Sequence, residues 1–569
     1  MMLHLGVRLI SGLFLLLAAA FPLSTPADAQ TSDASGDWRA TGRAGGRLAM
    51  HLGAASTFDN VDQGQMGIAA RMSVEGRRVT LVIGPDNLRF EGELSPDGQR
   101  LTGMFTPGSS GQTFVFERGV FAPFIVTPET EAVTGDWHGA LAAGGASLRV
   151  AVHLGATSRF DSVDEGANGI IAHLTVAGRR VSVNIPRVGA AFEGVLSDDG
   201  AQLVGEWRQA TLRVPLVLER GTVAPPIRTQ TPVAPFPYRA EEVSYDNSQR
   251  PGVHLAGTLT LPEGRGPFPA VLLITGSGPQ DRNETGMGHQ PFLVIADYLS
   301  RRGFAVLRVD DRGVGGSRGR TPNDTSADYA TDVEAGVAYL RTRADIDRAR
   351  IALIGHSEGG LIAPIVASRD PVLGGIILMA GPGVPGADVM VEQTRAVMRS
   401  TNAPADQVEA VVALRRAIMD ALAAAPDDAT ARASVVAAMR TSTLMQDVSA
   451  SQFDDQVGLF VTPWYRAFAA YDPAPTLRSL RVPVLALLGD KDVQVVASQN
   501  APALRAALAD NPRASVVVLP GFNHMFQKAT SGAIGEYVQI EVTVDPEALA
   551  VMGDWLAEAL QPLPAPGRR

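Results

Sequence analysis

No cysteine occurs in the 569 residues. That excludes disulfides, and it excludes a lipid carried on a processed N-terminal cysteine. Lys/Arg-rich runs are also missing, and 49 Lys+Arg against 59 Asp+Glu leave a formal net charge of −10. A nucleic-acid partner is therefore not expected, because nothing here would neutralise phosphates. Long apolar runs are confined to the N-terminus, where Arg8 precedes Leu9 to Phe21 and Ala27-Asp28-Ala29 places small residues at a cleavage site. The run is too short for a comfortable span and reads as a secretory signal over residues 1–29. With no other stretch apolar enough to cross a bilayer, the expectation is a periplasmic or secreted bacterial protein without a stable membrane span after signal removal.

After the signal the chain repeats itself. GDW at Gly36 returns at Gly135, HLGA at His51 returns at His153, FDNVDQG from Phe58 matches FDSVDEG from Phe160, and FEGELSPDG from Phe90 matches FEGVLSDDG from Phe192. The offset is 102 residues for most of the unit (His51 to His153) and 99 at its start (Gly36 to Gly135). Alternating runs such as Arg78 to Ile83 and Arg180 to Ile185, split by Gly, Asp and Pro, predict antiparallel strands with tight turns. Two small β-rich modules are thus expected, at 36–120 and 135–221. Trp38, Trp137 and Trp207 fit core anchors better than ligand platforms. Asp62 and Asp164 lack the dense spacing of a calcium loop and are read as turn residues. The modules are expected to contact an envelope polymer or the remainder of the chain.

A proline-rich linker, 222–238 with APPIRTQTPVAPFP at its centre, marks a boundary, since such a run holds neither a regular helix nor a central strand. Beyond it, over 239–569, buried Val/Ile/Leu runs alternate with helical patterns. The predicted strands are His254 to Leu261, Ala270 to Ile274, Phe304 to Val309, Ile351 to Ile354, Gly375 to Met379, Val484 to Leu488 and Ser515 to Leu519. Continuous apolar strands flanked by helices predict a parallel sheet covered on both faces.

The stretch IALIGHSEGG, Ile351 to Gly360, carries the chemistry. An apolar strand, a G-x-S-x-G turn and a helix-compatible segment form the context in which Ser357 is lifted out of the sheet as a nucleophile. The order Ser, acid, His then demands an acid after a late strand and a histidine after the last. Val482 to Leu488 runs into Gly489-Asp490-Lys491-Asp492, and Ser515 to Leu519 runs into Pro520-Gly521-Phe522-Asn523-His524. His524 would take the Ser357 proton while the carboxylate holds the imidazole tautomer. The other histidines fit less well: His356 is expected to turn away from its neighbour, and His254 and His289 lie far from any late strand. For the oxyanion hole, the backbone N–H groups of Glu358 and of Ser277 in the Thr275 to Gln280 loop are the expected donors. No metal or cofactor motif accompanies them, because the glycine stretches lack the lysine of a P-loop.

LLITGSGPQDRNE, FAVLRVDDRGVGGS, IALIGHSEGGLIAP, LMAGPGVPG and VPVLALLGDKDVQV together resemble the exported bacterial α/β-hydrolases related to dienelactone hydrolases and to serine peptidases of the prolyl-oligopeptidase clan. The resemblance covers roughly Glu241 to the end and implies a carboxylesterase-like acyl hydrolase with its triad on Ser357, Asp492 and His524. It departs from the family in carrying the β-rich part twice. An insertion at about 384–470, with a helical stripe of Val411, Leu414, Ile418 and Leu422 and adaptable Met390, Met398, Met419 and Met439, is expected to form a helical lid. The resulting expectation is an α/β-hydrolase fold with a lid behind two tandem β modules, cleaving small-molecule esters without a cofactor. A peptidase or amidase on the same triad, and an envelope-binding protein acting through its modules, are the competing readings.

Overall fold

The computed structural model describes residues 34–561 apart from 42–46, 62–64, 85–87, 107–112, 121–125, 144–145, 166, 210–211, 225, 447 and 449. The signal segment and Asp62 lie outside the described residues. The chain divides into two compact units, one ending at Pro225 and the other beginning at Pro226.

In the first unit each copy of the repeat builds one β-structure. Eight antiparallel strands, from Gly36–Thr41 to Thr113–Arg118, close into a barrel where the first pairs with the last, Trp38 opposite Arg118. Alternation decides which side chains fill it: along Arg78–Ile83, Val79, Leu81 and Ile83 point inward and their neighbours outward. The second copy is a nine-stranded sheet, because the strand Gln65–Glu75 of the first copy is split there into Ala167–Ile171 and His173–Ala177. Those two pieces are the sheet's edges, and only Ala172 separates them. It keeps the strand order of the barrel but stays open between those two edges.

Trp38 and Trp137 are completely buried and Trp207 nearly so, which removes them as platforms for a ligand. Each of the first two donates its indole N–H to a carbonyl four residues upstream, Ala34 at 3.0 Å and Val133 at 2.8 Å. Asp164 lies in a turn, as read from the sequence, and its carboxylate also accepts from the Arg149 backbone N–H at 2.7 Å and from the Arg149 guanidinium. Two elements separated along the chain are tied by that pair.

Both copies also keep one ionic clamp. His51 lies 2.7 Å from Asp37 through Nδ1 and 3.0 Å from Asp59 through Nε2. His153 has the same distances to Asp136 and Asp161. For His51 the Asp37 hydrogen bond, supported by Asp59, raises the ring above the ordinary histidine value against the opposing effect of burial. For His153 burial pulls the other way, but Asp136 and Asp161 outweigh it.

The second unit is an eight-stranded mixed sheet. Its order is Tyr238–Asp246, His254–Pro262, Ala305–Val309, Phe268–Ile274, Ile346–His356, Gly375–Met379, Val484–Gly489 and Ala514–Leu519. The expected parallel sheet is correct from Ala305–Val309 onward, whereas the first two strands form an antiparallel hairpin on its edge. That edge strand, Tyr238–Asp246, alternates exposed and half-buried residues instead of forming an apolar run, so it lacks the signature of its neighbours. Helices Pro291–Arg301 and Pro546–Ala559 pack on each other. Ser326–Thr342, Gly359–Arg369, Ala474–Ser479 and Ala497–Ala507 form a second run of packed helices. The central strands are enclosed between them: Ile351 to Ile354 and Ile376 to Leu378 expose nothing.

The insertion is helical throughout: Gly386–Ser400, Ala405–Ala424, Asp428–Arg440, Ala450–Phe460 and Pro463–Ala470. It has a core of its own, containing Val412, Ile418, Leu422, Val435 and, contrary to the expectation of an adaptable binding surface, Met419 and Met439. An amphipathic stripe on one helix has been used up by its sister helices.

The segment after the boundary is not a free spacer. Arg228 donates to the carbonyls of Val538 and Ile540, each at 2.9 Å, and to those of Met287 and Gly288. Gln230 exchanges hydrogen bonds with the backbone at Thr543 and Val544. A guanidinium has five N–H groups in a fixed fork, which suits it to gathering carbonyls from two loops at once.

Both the clamps and this strap bear on stability. Since the histidine clamps are charged only below their raised folded values, the stability they contribute is fully present below the ordinary histidine value and is lost as the pH rises through the folded one. Calorimetry of the full chain is expected to show the first unit melting earlier as the pH is raised from about 6 to about 9, with Asp37→Asn and Asp136→Asn together flattening that dependence. Arg228→Ala is expected to lower the stability of the second unit by roughly 2–3 kcal/mol, measured as a reduced urea midpoint with unchanged slope.

Candidate active site

Strand Ile346–His356 ends at a turn whose geometry only small residues permit. Ser357 has φ 54, in the left-handed region, and its N–H donates to Met379 O at 2.8 Å. A Cβ at Gly355 would come within 1.9 Å of Gly359 O, and one at Gly359 within 2.2 Å of Ile274 O. Three stretches of main chain are therefore pressed together beneath the serine, and helix Gly359–Arg369 leaves directly from the turn.

The two strands beyond deliver the other predicted residues to the same end of the sheet. Asp492 comes after Val484–Gly489, and its Oδ1 accepts from the backbone N–H groups of Gln494 (2.7 Å) and Val495 (2.9 Å). Its Oδ2 lies 2.8 Å from His524 Nδ1, with both side chains buried. Nδ1 facing a carboxylate is the donor, so a neutral His524 carries its lone pair on Nε2. Asp490, the other carboxylate of the same turn, points elsewhere: it is exposed and accepts from Gly521 N–H at 2.6 Å, bracing the loop that carries His524. Among the described residues the Ser357 hydroxyl makes no hydrogen bond to His524; such contacts tighten on substrate binding.

On the other side of the serine runs the loop after Phe268–Ile274. A Cβ at Gly276 would stand 3.3 Å from Ser357 Cβ, so this loop lies against the serine. The Gly276 N–H is occupied, donating to Glu284 Oε1 at 2.7 Å. Pro279 has none to give. Of the two donors expected from the sequence, Ser277 follows Gly276 directly in this loop and Glu358 follows Ser357. Asp311 braces the same loop by accepting from the Thr275 hydroxyl (2.7 Å) and the Gln280 N–H (2.8 Å), and burial pushes its carboxyl up to about 8.

Three side chains depart from the sequence expectation or escape it. His356 does not simply turn away: its ring lies 4.7 Å from that of His524 and 2.9 Å from Glu284. His289, far from the late strands in sequence, is fully buried against the chain beyond them, with Nε2 donating to Tyr537 O at 2.9 Å and Nδ1 beside the Thr543 hydroxyl at 3.0 Å. Burial holds it neutral, down to about 4. Glu284, at φ 53, sits in a segment without regular structure and gives no periodic signal at all.

A family model described as serine aminopeptidase, S33, matches residues 289–528. Esterase EstD of Thermotoga maritima is 27% identical over 271 residues, 48% of this chain and 58% of that protein. An uncharacterised protein of Mycobacterium tuberculosis is 33% identical over 120 residues, 21% of this chain and 39% of that one. The chain thus spans about half the length of the curated relatives it matches. A solved Pyrococcus furiosus esterase aligns with a TM-score of 0.36 at 16% identity, over 57% of this chain and 92% of that one. The second unit has an α/β-hydrolase fold.

In the second unit a carboxylate ties the helical insertion to the turn at Ser357. Glu358, directly after Ser357, is buried, and its Oε1 accepts from Ser326 Oγ at 2.6 Å and from Trp464 Nε1 at 2.8 Å. Burial raises its carboxyl above the ordinary glutamate value, the hydrogen bonds from Ser326, Trp464 and Ser277 offsetting this only in part. Trp464 belongs to the last lid helix, Pro463–Ala470, and stacks on Phe468 with centroids 5.0 Å apart.

Trp464→Phe keeps the stacked ring and removes the N–H, leaving Glu358 one donor short at a cost of about 1–2 kcal/mol. Hydrogen exchange in residues 463–470 is expected to accelerate by roughly tenfold while the central strands stay protected. Unchanged exchange there would mean that the lid is held by its apolar contacts alone.

Proposed function

We propose that the chain is an exported serine hydrolase that cleaves carboxylic esters through an acyl-enzyme, with Ser357, Asp492 and His524 as its triad. The observation that carries this reading is the buried Asp492–His524 pair, 2.8 Å apart, beside a serine held at φ 54 on a strand-to-helix turn. Export rests on the N-terminal sequence alone.

In this reading Ser357 Oγ attacks the ester carbonyl as its proton passes to His524 Nε2. Asp492 keeps the ring oriented and stabilises the imidazolium. Charge that develops on the carbonyl oxygen is met by the N–H groups of Ser277 and Glu358, since donors fixed in the backbone cost little reorganisation at the moment of reaction. Collapse of the tetrahedral species breaks the bond to the alcohol oxygen, which takes the proton from His524. A water molecule then repeats the sequence on the acyl-enzyme and releases the acid.

A second reading, a serine aminopeptidase, is favoured by the description of the family model matching residues 289–528. Amide cleavage asks more of His524, which must protonate a poor leaving group in a well-defined pose. The lid's inward-facing methionines are buried in its own core, so they do not argue for an apolar acyl pocket.

The deciding experiment compares a short p-nitrophenyl ester with a matched aminoacyl anilide, each rate normalised to its uncatalysed reaction. Normalised kcat/KM for the ester is expected to exceed that for the anilide by ~100-fold, about 2.7 kcal/mol in transition-state stabilisation. A larger normalised value for the anilide would make the peptidase the better reading. Ser357→Ala should abolish fluorophosphonate labelling and lower ester turnover by several decades, and Asp492→Asn should cripple the enzyme where Asp490→Asn does not.

A further inference from the structure

The chemistry of two acceptors identifies the state of His356. Its Nδ1 lies 2.9 Å from Glu284 Oε1 and its Nε2 lies 3.0 Å from the carbonyl oxygen of His524. A carboxylate and a carbonyl can only accept, so both ring nitrogens must donate, and a ring with two N–H groups is an imidazolium. His289 in the same unit shows the contrast: one of its nitrogens faces a hydroxyl, which can donate, and a neutral ring satisfies both contacts. Glu284 and His356 are each about nine-tenths buried, at 8% and 6% exposure. A buried charge at that depth persists only when paired and hydrogen-bonded, and each supplies the other's partner.

The pair touches both halves of the proposed machinery. The Glu284 oxygen that receives His356 also receives the Gly276 N–H at 2.7 Å, in the loop that lies against Ser357 and offers Ser277. The other end of the His356 ring holds the backbone of His524 itself. Because His356 immediately precedes the nucleophile, one ring and one carboxylate connect oxyanion loop, nucleophile and general base.

We propose that Glu284 and His356 form a charged positioning clamp, a carboxylate–imidazolium pair that holds the oxyanion loop and the His524 loop in register with Ser357. Neither residue touches the reacting atoms; both act through the groups they hold. The proposal rests on the esterase reading for its kinetic consequence, but not for the protonation state. The charged groups that bear on His356 are Glu284 and, after a strand two places along the sheet, Asp492; together with the His524 carbonyl they keep the ring above the ordinary histidine value in spite of its burial. The clamp is therefore intact below that value and released as the pH rises through the raised one.

Full-length protein carrying Glu284→Gln, which keeps shape and an acceptor oxygen, tests this. Two readouts separate the clamp from ordinary packing. Nitrogen-15 NMR of the imidazoles, with His356→Gln for assignment, is expected to show His356 doubly protonated at neutral pH in the wild type and converted to a neutral ring in Glu284→Gln. In ester hydrolysis, kcat is expected to fall by roughly 10–100-fold with KM little changed, as for misplacing an oxyanion donor, and the alkaline limb of the kcat/KM profile to move down by about one pH unit. A neutral His356 in the wild type overturns the proposal whether or not the chain hydrolyses esters. A wild type that turns over esters and labels at Ser357, with a Glu284→Gln variant of the same kcat and the same pH profile, overturns it while leaving the esterase intact. A wild type that neither labels nor turns over, yet shows the doubly protonated ring, removes the function and keeps the clamp.

Discussion

Main chain crowded beneath one serine is the constraint on which the second unit depends. A residue at φ 54 is costly for anything but glycine, and it persists because the surrounding backbone over-determines it. The turn is wedged between the ends of Phe268–Ile274 and Gly375–Met379, so the hydroxyl, the helix start behind it and the loops on either side are placed by the sheet itself. A wider residue at Gly355 or Gly359 would have to push a carbonyl aside, not merely a side chain. The sheet supplies the force that keeps the turn strained.

Around this turn the structure buries three carboxylates, half-buries a fourth, and compensates each differently. Asp492 has two backbone N–H groups and the imidazole of His524. Glu284 has a backbone N–H and an imidazolium. Glu358 and Asp311 receive only neutral donors, and both are pushed above the ordinary carboxylate range. Buried polar groups of this kind are expensive when half-satisfied and specific when fully satisfied. Here they connect elements far apart in the chain: the loop after Phe268–Ile274, the start of helix Ser326–Thr342, the helix at Trp464 and the loop at His524. Lid and catalytic turn are thus mechanically continuous through hydrogen bonds.

The duplicated modules obey the same logic more cheaply. Each packs its strands around aromatic residues, with Phe58 against Phe105 in one copy and Phe160 against Trp207 in the other. Each repeats an aspartate–histidine–aspartate clamp at the same two distances. What differs is one long strand of the first copy, which is interrupted at Ala172 in the second. The strand order survives the interruption because the two pieces remain at opposite ends of the sheet.

Much of this was legible in the chain, for local reasons. Repeat, alternation, apolar strands, the glycine-flanked serine and the order of acid and histidine all depend on near neighbours, and near neighbours are what a sequence displays. The edge strand Tyr238–Asp246 was not legible because one side of it is solvated. The strap at Arg228 was hidden because its partners lie about three hundred residues away and are carbonyls, which carry no side-chain identity. For the same reason Glu284, the direction of His356, the inward burial of Met419 and Met439, and the Glu358 contact with Trp464 could be assigned only in three dimensions. Sequence by itself determined which residues are able to do chemistry and in what order they arrive at the sheet's end. Tertiary structure decided which carboxylate meets His524, which backbone N–H is already occupied and which histidine is charged, because each depends on acceptors brought together by folding across the sheet.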